Sequence, residues 1–219
     1  MKILAIEFSA PQRSVAVAES RPGFPDRIIS EVLETGATAP QGLALIDSAL
    51  REGRIERDQI DCVAVGLGPG SYTGIRGAIA VSQGWQLARS VKLLGLSSAD
   101  CLAAQAAAQG LAGPVSIVID AQRDEFYLAS YELNAGMFRA IAPLQIVSRE
   151  EIADRGRKGW VLAGPEAGPA FPGGITVIPR AAALGRLALG RRDFIAGEKL
   201  EPIYLRETKF VKAPPPRSL

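Results

Sequence analysis

Residues 61–67, DCVAVGL, are apolar at nearly every position, so a strand made from them has no face to give to water. Such a strand belongs inside a sheet that is covered on both sides. The next stretch narrows the fold further. VGLGPGSYTGIRGAIA (65–80) places glycines at 66, 68, 70 and 74, then passes into a helical pattern running from about Thr73 to Ser90. Strand, glycine turn and helix in succession point to an α/β architecture.

The same alternation extends along the chain. KILAIEF (2–8) reads as a buried strand, SVAVAE (14–19) as a second and RIISEVLE (27–34) as a third. From Pro40 to Leu50 the period becomes helical, with Leu43, Ile46 and Leu50 on one face and Gly53 as its stop. After the glycine turn and its helix come the strand KLLGLS and an alanine-rich helix over 99–109. Beyond Gly113-Pro114 the pattern begins again. PVSIVID, DEFYLASYEL and FRAIAPLQIV read as strands, Glu150–Arg155 as a short helix, GWVLAG and GITVI as strands, and 180–190 as a helix. The two openings align without a gap at an offset of 113 residues, Ile6-Glu7 on Ile119-Asp120 and Glu19 on Glu132, as an internal duplication does. The expected organisation is an N-terminal mixed-sheet lobe (1–110), a smaller lobe of related topology (111–208) and an extended tail (209–219) containing three consecutive prolines, with a cleft between the lobes.

The glycine loop fails three familiar tests. A P-loop needs Lys-Ser/Thr after its last glycine, and Gly74 is followed by Ile75-Arg76. No register of the glycines gives the dinucleotide fingerprint, and Ser71 stands beside Gly70 rather than one residue away as a nucleophile elbow requires. Two readings stay open: a sharp turn capped by Ser71 or Thr73, or a helix start whose amides hold an anion. The helix that follows has Gly77, Val81, Gly84 and Ala88 at four-three-four spacing, a face of small residues. Glycine costs a helix about 1 kcal/mol per residue, so this face implies close approach by another element, either the chain's own sheet or a helix of another subunit.

Composition removes several chemistries. There is no histidine among the 219 residues, which excludes Ser-His-Asp and Cys-His catalysis and any histidine-bearing metal site. Ser71 has no visible base, which leaves a peptidase reading without its machinery. The formal net charge of +2 gives no polyelectrolyte signal. Arg51, Arg54 and Arg57, with Lys209, Lys212 and Arg217 in the tail, read as solvated surface charge without the aromatic interleaving of an RNA-binding face. The two cysteines, Cys62 and Cys101, read as small buried hydrophobes in a reducing cytosol. The apolar start MKILAI is too short for a secretory signal, and no run approaches a membrane span, so a cytoplasmic protein is expected.

ILAIEFSA, VGLGPGSYTGIRGAIAVSQGWQLA, LLGLSS, VIDAQRDEFYLASY and PIYLRE resemble, in that order and spacing, the bacterial TsaB (YeaZ) proteins, and the resemblance spans essentially the whole chain. It implies two ribonuclease-H-like lobes of the actin/Hsp70/sugar-kinase superfold, with mixed sheets flanked by helices. It implies a non-catalytic subunit needed by a paralogue, TsaD, that places threonylcarbamoyl on the adenosine beside the tRNA anticodon. A small ATPase, TsaE, would join through the complex, the chain would form a homodimer when TsaD is absent, and tRNA would be met only indirectly. The family's interfaces use two helices that map here to 40–52 and 73–90, which assigns Leu43, Ile46, Leu50, Gly77, Val81, Gly84 and Ala88 to a partner interface.

The ATPase relatives would use a first-strand carboxylate to position magnesium and glycine turns to hold phosphates. Here that set is Glu7, Ser9, Gly68, Gly70, Ser71 and Asp120, read as a vestigial phosphate site, with no catalytic residue, metal or cofactor expected. EFSA departs from the family's Asp-Thr-Ser, DAQRDE puts Arg123 where catalytic relatives carry glycine, and AGPEAGP replaces the adenosine-side glycine pair. TAPQG (38–42) stands in place of the family's His-Ser. The competing reading is an active ATPase or small-molecule kinase of the same superfold, in which Glu7 and Asp120 would be indispensable.

Overall fold

The central strand of the first sheet, β1 (Lys2–Glu7), is hydrogen-bonded along both edges, antiparallel to β2 (Gln12–Glu19) and parallel to β4 (Cys62–Gly66). The computed structural model describes residues 1–36 and 42–206. With β3 (Arg27–Thr35) outside β2 and β5 (Lys92–Leu96) outside β4, the first sheet has the order β3-β2-β1-β4-β5. The apolar run that opened the sequence is β4, buried at every residue as its composition requires.

The second sheet repeats this plan. β6 (Gly113–Asp120) lies between antiparallel β7 (Glu125–Asn134) and parallel β9 (Val161–Gly164), with β8 (Met137–Ser148) and the two-residue β10 (Ile175–Thr176) at the edges. Read outward from the first strand of each lobe, the two orders are the same, and both first strands end in a carboxylate, Glu7 and Asp120. This is the two-lobed, mixed-sheet arrangement that the resemblance implied.

The gapless alignment at 113 residues holds for the first strands and fails in the second. Glu7 stands opposite Ser14, but Asp120 stands opposite Phe126, because the second hairpin connection is one residue shorter. The residue in the place of Glu19 is therefore Tyr131, not Glu132. A one-residue slip exchanges faces, and the chemistry follows it. Glu19 is ion-paired to Arg21 and Arg27 at 2.9 and 2.8 Å, whereas Tyr131 is buried in the second lobe with its hydroxyl donating to Asp100 at 2.7 Å.

Among the described residues six α-helices cover the sheets. α1 (Gly42–Gly53) and α2 (Tyr72–Arg89) lie on one face of the first sheet, their Leu45, Ile46, Ala49, Leu50, Ile75, Ala78 and Ile79 meeting Leu4, Ile6, Val15, Val63 and Val65. The other face is covered by α6 (Ala181–Leu189), which comes from the far end of the sequence. In exchange α3 (Ser98–Ala108), from the first half, packs Leu102, Ala103 and Ala106 against Val115, Ile117 and Tyr131 of the second sheet. A division near residue 110 thus describes the strands and not the helices. α4 (Arg149–Arg157), opened by a capping box of Ser148 and Glu151, and the one-turn α5 (Ala167–Ala170) close the remaining face of the second lobe. α5 begins in AGPEAGP, a stretch with no helical period to announce it.

Cys62 and Cys101 are both fully buried, and burial pushes the Cys62 thiol up to about 12 and raises that of Cys101. Among the described residues no helix is long and apolar enough to cross a membrane. The expected tail, residues 40 and 41 of the first expected helix, and residues 38–41 of the TAPQG segment lie outside the described residues.

Candidate functional site

The glycine loop packs against the turn that follows β1. Ser71 N donates to Ser9 O at 2.7 Å, bringing the loop against the turn that leaves β1. Gly70, at φ +145°, faces Ser9 O at a distance where a Cβ would stand 2.1 Å from it, and a Cβ on Gly74 would stand 2.0 Å from Phe8 O. Ser71 caps α2, its hydroxyl accepting from Gly74 N at 3.3 Å. Of the two readings of the loop, the structure realises the capped turn. Phe8 turns into the first core, away from the loop.

Glu7 is fully buried beneath this turn. Its Oε1 accepts from Ser9 N at 2.8 Å and its Oε2 from the Ser98 hydroxyl at 2.9 Å, while Ser98 also accepts from Gly68 N at 3.2 Å. A Cβ on Gly66 would stand 2.3 Å from Oε2, so no room remains beside the carboxylate. Four of the six residues expected at a phosphate site, Glu7, Ser9, Gly68 and Ser71, are therefore joined by hydrogen bonds in one plug between β1, β4, α2 and α3, and a fifth, Gly70, packs against Ser9.

Desolvation raises the Glu7 carboxyl above its ordinary value, against the lowering effect of the Ser9 and Ser98 hydrogen bonds. Below about pH 4.5 the folded and unfolded chains both hold this proton. Between that value and the raised folded value only the folded chain holds it, so rising pH favours unfolding, and above the folded value the loss is complete. Within that window the group lowers stability by about 1.4 kcal/mol per pH unit. Glu7→Gln, which keeps the shape without the charge, is expected to remove this slope and to be no less stable than wild type at neutral pH. Urea unfolding of both proteins between pH 4 and 8 measures it, and parallel slopes would contradict the assignment.

Asp120, the sixth residue, lies apart from the plug across the interlobe cleft. Its carboxylate accepts from Gln122 N at 2.8 Å and from Gln122 Nε2 at 2.6 Å, and its own amide donates to Glu166 at 3.0 Å. Burial, with the nearby Asp120 charge, raises the Glu166 carboxyl. The turn after Asp120 places Gln122, Arg123 and Asp124 in the left-handed region, at φ 65°, 61° and 60°. The cleft has a volume of about 860 Å³ and is bounded by Ser9, Gly70, Tyr72, Asp120, Arg123 and Arg206. No group of three or more His, Cys, Asp or Glu side chains among the described residues is disposed to hold a metal ion.

The other expected site splits in two. On α1, Ile46 (1% exposed) and Leu50 (4%) belong to the chain's own core, while Leu43 (65%) stands in solvent. Ile46 and Leu50 are therefore withdrawn from any partner surface. The sheet selects the stripe of Leu45, Ile46, Ala49 and Leu50, which leaves Leu43 off its edge. On α2 the small-residue face is open. Gly77, Gly84 and Ala88 are exposed, Val81 is half-buried at the rim of the core, and Cβ atoms added at Gly77 and Gly84 would meet nothing within 4 Å. Close approach by the chain's own sheet, one of the two explanations for the stripe, is thereby ruled out. Leu87, 88% exposed, flanks the stripe at one end, and Tyr72, 59% exposed, lies at the other. Of the basic residues near α1, Arg57 is ion-paired to Asp47 and Arg51 donates to Ser48; Lys209, Lys212 and Arg217 lie outside the described residues.

The family described as TsaD: tRNA N6-adenosine threonylcarbamoyltransferase matches residues 41–168. The chain is similar to the tRNA threonylcarbamoyladenosine biosynthesis protein TsaB of Escherichia coli, 26% identical over 75% of this chain and 78% of that protein. It is similar to its Haemophilus influenzae counterpart at 28%, over 78% and 81%. Among solved structures, YeaZ from Pseudomonas aeruginosa superposes with a TM-score of 0.78 at 28% identity, covering 93% of this chain and 99% of that one.

Proposed function

Because the chain belongs to the TsaB (YeaZ) branch of the family described as tRNA N6-adenosine threonylcarbamoyltransferase, we propose that it serves tRNA threonylcarbamoyladenosine biosynthesis as a docking subunit rather than as a catalyst. The observation that carries this reading is the open stripe of Gly77, Gly84 and Ala88 on α2. Two glycines that weaken a helix and meet nothing in their own chain are accounted for by a partner helix that lies close against them. The plugged glycine loop supports the non-catalytic half of the reading, since Glu7 is enclosed by its own hydrogen bonds and by Gly66. The partner proposed is the TsaD-type paralogue, with a homodimer through the same face in its absence and a TsaE-type ATPase joining the complex. tRNA is handled by the assembly.

Gly84→Arg tests this reading. Space around Gly84 lets the monomer accept the larger side chain, whereas a packed helix pair does not. Binding to the TsaD-type protein of the same organism, followed by co-purification and calorimetry, is expected to weaken about 10- to 100-fold with thermal stability no lower than that of wild type. Wild-type chain that never binds the paralogue, or a Gly84→Arg chain that binds as tightly as wild type, overturns the proposal.

A further inference from the structure

After α6, which lies on the first sheet, the chain stays with the first lobe before it returns to the second. Ile195 N donates to Leu93 O at 3.0 Å, and the turn at Gly197 is tied to α2 by Gln86 and Gln83, each at 2.8 Å. Leu200 enters the first core, and Ile203 N donates to Leu67 O at 2.8 Å at the mouth of the glycine loop. Tyr204 then stacks on Tyr72, the first residue of α2, with ring centroids 5.3 Å apart and planes 21° from parallel. The guanidinium of Arg76 lies 5.1 Å over the same Tyr72 ring. Two residues later the chain reaches the other lobe. Arg206 donates to Ala121 O at 2.8 Å, to Gln122 O at 3.3 Å and to the Glu125 carboxylate at 2.6 Å.

We propose that residues 200–206 are a strap that sets the separation of the lobes, and that Arg206 is a positioning residue for the docking face of α2. The second half of this rests on the docking reading above. Arg206 grips a turn with three consecutive left-handed residues, a conformation that L-residues adopt only at a cost, so that turn needs outside support. One guanidinium nitrogen, Nη2, supplies it, lying within hydrogen-bond distance of two carbonyls and a carboxylate at once. The other end of the strap is the Tyr204–Tyr72 stack, and Tyr72 starts the helix that carries the open stripe. The turn at 121–125 and the first turn of α2 are thus joined by the three residues Tyr204–Arg206, and whatever moves one moves the other. A molecule entering the cleft has to share it with Tyr204 and Arg206, which line it.

Hydrogen exchange on the full-length chain alone, followed by binding, tests the two halves separately. In Arg206→Ala, exchange at the amides of Glu125, Ile203, Gly74 and Ile75 is expected to quicken about tenfold, with the amides at the centre of α2 and in β4 unchanged. Arg206→Lys is expected to fall between. Tyr204→Phe, which keeps the stack, should match wild type, and Tyr204→Ala should loosen Gly74 and Ile75 while leaving Glu125 protected. No change at Ile203 and Glu125 in Arg206→Ala overturns the strap. A change there with none at Gly74 and Ile75 overturns the link to α2, and so does uniform acceleration throughout the chain. In the binding arm, Arg206→Ala should weaken the TsaD-type partner about five- to tenfold. Unaltered affinity removes the positioning role and leaves the strap standing. If wild type itself does not bind, the docking reading falls, while the exchange results still judge the strap and its link to α2.

Discussion

A chain ending at residue 178 is expected to remain unfolded in its first lobe, although every strand of that lobe's sheet is still present. The missing piece is α6, which lays Ala181, Leu184, Ala188 and Leu189 on Ile3, Ala5, Ala16, Ala18, Cys62 and Ala64. Without it the whole second face of a sheet built from doubly buried strands is open to water. The truncation forfeits the burial of two leucines, about 1.5–3 kcal/mol each, together with that of the sheet residues they cover, a loss comparable with a native margin of about 5–15 kcal/mol. The truncation also removes polar partners, since Ala181 N donates to the Ser14 hydroxyl and Ala182 N to Glu31, both at 2.8 Å. A fragment of residues 1–110 is worse placed still, because it carries α3 without the sheet α3 covers. Amide dispersion in a proton–nitrogen spectrum of the 1–178 chain decides the matter. A dispersed spectrum with a cooperative thermal transition would falsify the exchange of helices as a stability determinant.

Gly74→Ala is expected to destabilise the protein by about 3 kcal/mol or more, while Gly77→Ala, one helical turn later, is expected to stabilise it by up to about 1 kcal/mol. Both substitutions add the same methyl group to the same helix. At Gly74 it would meet Phe8 O at 2.0 Å, and backbone cannot swing aside as a side chain can, so α2 must lift off the turn after β1 and loosen the Ser71–Ser9 hydrogen bond. At Gly77 it enters open space, and only the helix preference of alanine is felt. Urea unfolding of the two variants at one pH gives the comparison. The plug is mis-assigned if Gly74→Ala lies within 1 kcal/mol of wild type.

Much of the fold was legible because its signals are local. The continuous apolar runs of β1 and β4, the alternation in β2, the switch to helical period after residue 71 and the repeat of this order after residue 113 each need only a few neighbouring residues. The site was less legible because its contacts are not local. That the glycine loop lacks the P-loop lysine could be read from spacing, but that Phe8 O and Ser9 O pack against it depends on residues some sixty positions away. The stripe of Leu43, Ile46 and Leu50 has sound helical spacing, yet the sheet buries a neighbouring stripe that shares only two of those residues. The crossing of α3 and α6 left no trace, since both are alanine-rich and either would suit either sheet. Arg206 and Tyr204 went unassigned for a similar reason. They stood in PIYLRE as part of a resemblance, and nothing in the sequence brings them to Tyr72 and Glu125.

The crossing of the helices also has a consequence for the order in which the protein is made. Lobe one is synthesised first and completed last. Once β5 has left the ribosome, its sheet must wait for α6, which begins about 85 residues later, and at about 5–20 residues per second that is roughly 4–17 s of translation. During that interval one face of a strongly apolar sheet has no cover from its own chain. The protein therefore depends during its birth on whatever shields nascent chains, and slowing its translation should lower its soluble yield.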